Sequence, residues 1–336
     1  MSQAASNKNR HVPRIAPEIQ AILVCPHEHR SPLALSADKS AFTCATCGRS
    51  YPILDGAPIL INEDTSAFRL ADYLGASSVD EAERASLHSR RSFIPGLIKK
   101  LLARLTPSLS IRSSNFDAND ALTFISREVP NARILTVGCG DLVFTASRGA
   151  NVTYTDIQLT DLAQLVCDAH NLPFSDESFD AVLAVAVLEH VADPARCVAE
   201  FCRVLKAAGF VYAETPFMQQ VHLGAYDFHR FTLNGHRRLL RQFSEIKSDI
   251  VGGPAMALAW SFEYFLSSFS ERQLSRKLLK TIAKFLAAPL KYLDRFLVHK
   301  RGAIDCASSF YFFGRKSSIS LTDREIVQAY RGLNPE

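Results

Sequence analysis

The apolar run Arg133–Val137 leads directly into Gly138-Cys139-Gly140-Asp141, and two further apolar runs end in the carboxylates Asp156 and Asp168. Glycines after a strand let the backbone turn sharply and let a ligand approach closer than a Cβ would permit. A carboxylate ending the second strand can accept both hydroxyls of a ribose, and one ending the third can reach an adenine amino group. The three elements together describe a site for a nucleoside. A nicotinamide dinucleotide would want a third glycine where Val143 stands, and it would leave Asp168 without a task.

Histidines supply the second kind of chemistry. His190, in Leu188-Glu189-His190-Val191, follows the fourth strand-like run and so faces the reacting end of a bound nucleoside. His222 lies in PFMQQVHLGAYDFHRFT, after the fifth, together with Tyr226, Asp227 and Arg230. Either histidine can take the proton that a hydroxyl acceptor must lose. Tyr226, Asp227 and Arg230 are expected to bind a polar acceptor; the competing reading is an internal Asp227–Arg230 ion pair. His190 has its own alternative, as a cap or packing residue of the next helix.

The third kind is metal binding. Cys44-Ala-Thr-Cys47-Gly48 sets two thiolates on a tight turn, and Cys25 begins the other arm. Position 28, where a second CxxC would place its ligand, is Glu28, so the expected set is Cys25, His29, Cys44 and Cys47, with His27 as the other choice for the histidine. The metal would be a structural zinc; a ribbon that has lost its metal is the alternative.

Strands alternating with helical patterns must position these residues. ARILTVG, NVTYTDI, AQLVCDA, FDAVLAV and GFVYAET read as strands, ADPARCVAEFCRVL as an amphipathic helix and SSFYFFGRK as a final strand. Such alternation implies a parallel sheet with helices on both faces. The chain divides into a loose tail (1–17), a ribbon (18–62), a helical linker (63–114), an α/β domain (115–318) with a helical insertion at about 254–304, and a C-terminal tail (319–336).

The stretch DAHNLPFSDESFDAVLAVAVLEHVADPARCVAEFCRVLKAAGFVYAETP, from Asp168 to Pro216, resembles the class I S-adenosylmethionine-dependent methyltransferases. The resemblance covers roughly residues 120–250 and implies a Rossmann-like seven-stranded sheet, here with a small N-terminal zinc ribbon and a helical insertion before the last strand. By the same resemblance Gly138, Cys139 and Gly140 line the methionine and ribose side, Asp156 and Ile157 the ribose, Asp168 and Ala169 the adenine. Val185 would sit near the sulfonium. Two positions depart from the family pattern, Thr136 for an acidic residue and Leu142 for a glycine. PFMQQVHLGAYDFHRFT is similar to the acceptor side of methyltransferases of cell-surface polysaccharide and glycolipid synthesis. YPILDGAPIL is similar to the strand after the knuckle in ribbons associated with methyltransferases.

Composition narrows the partners. A net charge of +4 over 336 residues is too mild to imply nucleic acid by itself. MSQAASNKNRHVPR carries no apolar core of a secretory signal, so a cytoplasmic location is expected. Residues 271–301 hold nine basic residues against Glu271 and Asp294, with leucines near helical spacing, and FIPGLIKKLLARL is similar. Such helices suit an anionic membrane surface or the cover of a core. The expected function is therefore methyl transfer, as O-methylation, to a small polar, saccharide or lipid-linked acceptor. A non-catalytic scaffold is the rival of another class. RNA ranks below both, because the ribbon is not notably basic.

Overall fold

In the central strands, successive side chains leave on opposite faces, as the period of two requires. Leu135, Val182, Ala184 and Phe312 join one buried cluster, while Ile134, Ala181, Leu183 and Phe313 join another. The computed structural model describes residues 13–74, 106–144 and 151–333.

Four strands form the ribbon: β1 (Leu33–Leu35), β2 (Ala41–Cys44), β3 (Ser50–Leu54) and β4 (Ala57–Leu60). Seven follow: β5 (Arg133–Val137), β6 (Asn151–Asp156), β7 (Leu165–Cys167), β8 (Phe179–Val185), β9 (Leu205–Pro216), β10 (Phe243–Gly252) and β11 (Ser309–Lys316). All eleven share one sheet, ordered β1-β2-β3-β4-β7-β6-β5-β8-β9-β11-β10. The expected seven-stranded Rossmann-like sheet is present, parallel from β7 to β9 and closed by antiparallel β11 and β10.

The ribbon is not a separate body. Its β4 pairs in parallel with β7, Ile59 opposite Val166 and Leu60 opposite Cys167. Phe42, Tyr51 and Ile53 of the ribbon belong to the same buried cluster as Leu135, Leu165 and Phe201 of the larger sheet. Arg30 adds an ion pair to Glu200 at 2.8 Å, and Arg203 holds the other oxygen of that carboxylate at 2.7 Å.

Helices cover both faces. Short α1 (Pro17–Gln20) and α2 (Leu70–Leu74) flank the ribbon. Next, α3 (Ala118–Glu128) starts with a capping box between Asp117 and Asp120 and buries Ala121, Leu122 and Ile125 against the second cluster. The predicted amphipathic helix is α4 (Pro194–Val204), capped by Asp193 with proline in its first turn; it packs Cys197, Val198 and Phe201 on the opposite face. After α5 (Leu233–Leu239), the insertion between β10 and β11 carries α6 (Pro254–Ser267), α7 (Gln273–Ala287) and α8 (Asp294–Leu297). Finally α9 (Asp323–Gln328) has its own capping box at Thr322 and Glu325.

Four expectations change. Of the tail assigned to 1–17, the described residues 13–17 are packed on the domain, because Ile15 is buried in the main core and the Arg14 amide bonds the Gly56 carbonyl at 2.7 Å. The tail assigned to 319–336 contains α9, which buries Ile326, and Arg237 of α5 bonds the Ala329 carbonyl behind it. Within the helical linker, α2 is the described helix, residues 106–114 hold none, and FIPGLIKKLLARL lies outside the described residues. β10 was not anticipated. Its burial alternates irregularly around two register shifts against β11, which hides the strand period.

Candidate active site

Gly138 sits at φ +64° immediately after β5, a conformation that costs an L side chain ~1–2 kcal/mol. A Cβ there would lie 2.5 Å from Cγ2 of Val187, so any side chain at this position must displace that valine. The Cys139 amide bonds the Thr155 carbonyl at 2.9 Å, which buries its thiol and leaves its backbone to shape the turn. The Gly140 amide donates to Oδ2 of Asp156 at 2.7 Å, and the Gln158 amide to Oδ1 at 2.8 Å. Each oxygen of this nearly buried carboxylate keeps a lone pair, the acceptor capacity that two ribose hydroxyls require.

Asp168 stands one strand away at the same sheet edge, since Asp156 ends β6 opposite Val166 of β7. Its Oδ1 accepts from the His170 amide at 2.9 Å and from His170 Nδ1 at 2.6 Å; its Oδ2 accepts from the Ser66 hydroxyl. Burial alone would raise this carboxyl, but the hydrogen bonds from His170 and Ser66 outweigh it and hold it below the usual range. One lone pair of Oδ2 remains for an adenine amino group. Ala169 is buried beside it, and Val185 packs, half-buried, at the end of β8. The glycine turn and the two carboxylates thus lie at the ends of three neighbouring strands on one sheet edge, a placement suited to a nucleoside donor.

Residues just beyond β4 reach this edge. Tyr73 donates to the Ile157 carbonyl at 2.7 Å, and its ring packs with Ile59, Ile61 and Val166. Ile157 thus contributes a backbone carbonyl already engaged and a side chain in that small cluster. Phe68 stacks on Tyr226 at 5.4 Å between centroids. Ser66, Phe68 and Tyr73 carry no sequence signal of these contacts, whose partners Asp168, Tyr226 and Ile157 lie far along the chain.

On the acceptor side the structure brings His190 and His222 together, Nε2 to Nε2 at 3.0 Å. His190 Nδ1 lies 2.8 Å from the Tyr226 carbonyl oxygen, which can only accept, so that nitrogen carries the proton. Glu189 is buried, and neither of its carboxylate oxygens has a hydrogen-bond partner. Burial pushes its carboxyl up to about 8.

Asp227 and Arg230 bind each other and also line the cavity beside their loop. Arg230 binds both Asp227 oxygens and also the carbonyls of Gln219, Gln220 and His229, which uses all five of its donors. The internal ion pair of the competing reading is present. The pair props the loop that carries His222, whose amide also binds Asp227 at 2.8 Å. With Phe228 and Tyr264 the loop lines an open cavity of about 520 Å³.

In the ribbon, Cys25, His29, Cys44 and Cys47 place one ligand atom each within 4.8 Å of one another. Sγ of Cys25 and Sγ of Cys47 are 3.8 Å apart, close to the edge of a tetrahedron with zinc–sulfur bonds of ~2.3 Å. Gly48, at φ +69°, reverses the knuckle. His29 is the histidine of the set, with Nε2 3.9 Å from Cys44; His27 is held by Arg49 and Asp64 instead. The donors suit a structural zinc, which would tie both arms of the ribbon together.

Comparison with known proteins agrees with both halves. The Methyltransf_11 model, described as a methyltransferase domain, matches residues 135–213, and the Trm112p-like model matches residues 18–56. A UPF0434 protein of Teredinibacter turnerae is 36% identical over 55 residues, covering 16% of this chain and 84% of the relative. A tRNA (carboxymethyluridine(34)-5-O)-methyltransferase of Arabidopsis thaliana is 29% identical over 149 residues, covering 40% of this chain and 37% of the relative. A ubiquinone biosynthesis O-methyltransferase of Xylella fastidiosa is 32% identical over 118 residues, with 28% and 46% covered. The chain thus spans less than half the length of these methyltransferase relatives. The chain contains a Methyltransf_11 methyltransferase domain, of the S-adenosylmethionine-dependent kind, and a Trm112p-like domain at its N-terminal side.

Proposed function

We propose that this protein moves the methyl group of S-adenosylmethionine to an oxygen acceptor carried on RNA. The supporting observation is the single sheet, in which a Trm112p-like domain stands directly beside the donor edge through β4 and β7. Relatives named as tRNA methyltransferases support this reading, which the ribbon's lack of marked basicity had ranked low. Transfer from a sulfonium is an in-line displacement with a neutral leaving group, so the protein's main task is alignment. Asp156, Asp168 and the Gly138 turn would hold the donor. His190 and His222 would stand where the acceptor hydroxyl must lose its proton.

A second reading, a lipid-linked hydroxyl acceptor, has its own observation. On α7 the residues Leu274, Leu278, Ile282, Phe285 and Leu286 form an exposed stripe, while Ala283 and Ala287 make the buried contact. Lys277 and Lys284 lie beside that stripe, an arrangement suited to an anionic lipid surface. Among the described residues no helix is long and apolar enough to cross a membrane.

Tritiated S-adenosylmethionine offered to an RNA fraction and to a lipid and saccharide extract separates the two. Label in RNA, lost in the Asp156→Ala variant, supports the proposal. Label in the extract alone refutes it in favour of the second reading. No transfer, with no binding of S-adenosylhomocysteine, leaves a scaffold.

A further inference from the structure

Glu189, His190 and His222 converge in a way that neither nucleoside binding nor simple base catalysis explains. Their ligand atoms lie within 4.8 Å of one another, and Glu189 Oε1 is 3.7 Å from His190 Nε2. The Tyr226 carbonyl fixes the proton of His190 on Nδ1, so its Nε2 presents a lone pair to His222. His222 Nδ1 lies 3.4 Å from both the Gln220 carbonyl and Oδ2 of Asp227, so that nitrogen too faces acceptors and is the one protonated. With both Nδ1 atoms facing acceptors, the two Nε2 atoms 3.0 Å apart need either a proton shared between them or a metal cation that both ligate. The buried carboxylate beside them, without a hydrogen-bond partner on either oxygen, has the same need.

We propose that Glu189, His190 and His222 bind a divalent first-row transition-metal cation at the acceptor side of the methyl-transfer site. Two imidazole nitrogens and one carboxylate oxygen are a recurrent donor set for such ions, and metal–nitrogen bonds of ~2.0–2.1 Å bring two nitrogens to about 3 Å apart. Outer partners are already in place, because metal-bound histidines donate their other ring N–H to a carbonyl or carboxylate. Tyr226 serves His190 in this way, and Asp227 serves His222. Arg230 fixes Asp227 in turn, which gives that internal ion pair a purpose. Such an ion takes more than three ligands, so an acceptor oxygen would complete its shell. The location comes from the glycine turn: the His190 amide bonds the Val187 carbonyl at 2.9 Å, and Val187 is the residue that closes on Gly138. Only the cation's role in chemistry rests on the methyl-transfer reading; its binding does not.

The test uses the full chain with zinc in the ribbon, titrated with Co²⁺ and followed by its visible absorption. Thiolate ligation in the ribbon would show near-ultraviolet charge-transfer bands, which a site of two imidazoles and a carboxylate lacks. One Co²⁺ per chain beyond the zinc is expected, without such bands. His222→Ala, on an exposed loop, and Glu189→Gln, which preserves shape, should each weaken that binding at least ~10-fold. Calorimetry should show S-adenosylhomocysteine affinity unchanged in both variants. No Co²⁺ beyond the zinc at ~1 mM, weaker than about 4 kcal/mol of binding, overturns the site. Binding that both variants leave intact overturns it as well. Co²⁺ binding without methyl transfer upholds the site and removes the proposed function; transfer that ignores these ligands upholds the function and removes the cation's part in it.

Discussion

Gly138→Ala is the most exacting perturbation, because it adds a single methyl group at the hinge between donor and acceptor. At φ +64° an alanine costs ~1–2 kcal/mol relative to glycine. The new Cβ would also stand 2.5 Å from Val187 Cγ2 and 3.5 Å from Cγ1, an overpacking worth ~1–3 kcal/mol. Together these predict a loss of ~2–5 kcal/mol in unfolding free energy, read by urea denaturation. Val187→Ala removes the clashing methyls at its own cost, and in the double variant the steric part should vanish. The cycle should therefore show a favourable coupling of ~1–3 kcal/mol, leaving only the backbone penalty. S-adenosylhomocysteine binding, measured by calorimetry, should weaken in Gly138→Ala and recover partly in the double variant. Strict additivity would refute the contact with Val187, and a neutral Gly138→Ala would refute the left-handed turn itself.

Other outcomes follow from particular residues. Asp156→Ala should weaken donor binding ~10–100-fold, since it removes hydrogen bonds to a charged group worth ~1.5–3 kcal/mol; calorimetry that finds unchanged affinity would end the ribose assignment. Leu60→Ala, fully buried at the β4–β7 seam, should cost ~2–5 kcal/mol while urea unfolding stays a single transition, because ribbon and domain share one core. An earlier separate step would show two independent units. Removing zinc with a chelator should lower the melting temperature, and Cys44→Ser should do so without adding to the chelator's effect. Asp168, held below its ordinary 3.8, contributes stability that is fully present above that pH and is lost as pH falls through its folded value. Ser66→Ala should flatten that acid limb in pH-dependent denaturation.

How much was readable depended on whether a residue's role was local. β5, β6, β7, β8 and β9 and the amphipathic α4 were legible because apolar runs and caps are properties of adjacent residues. The glycine turn and both carboxylates came with them, since each ends a strand. The zinc ligands were legible to within one choice, which Arg49 and Asp64 settle by claiming His27. The contacts of Ser66 with Asp168, Tyr73 with Ile157 and His190 with His222 were not, because they join distant loops and leave no periodicity. Glu189 was read past for a related reason: a carboxylate beside a histidine shows its lack of partners only once the fold has buried it.

The place of β4 also constrains what can dock. An α/β sheet normally ends in a row of unpaired amides and carbonyls, available to any foreign strand. Here the chain has filled that position itself on the donor side, and the exposed border has moved out to β1, three strands away. A guest strand competing for β7 would first have to peel off a segment whose residues, Ala57, Ile59 and Leu60, are wholly enclosed. Because the Trm112p-like domain and the methyltransferase domain share one chain, they are present in equal number by translation rather than by affinity.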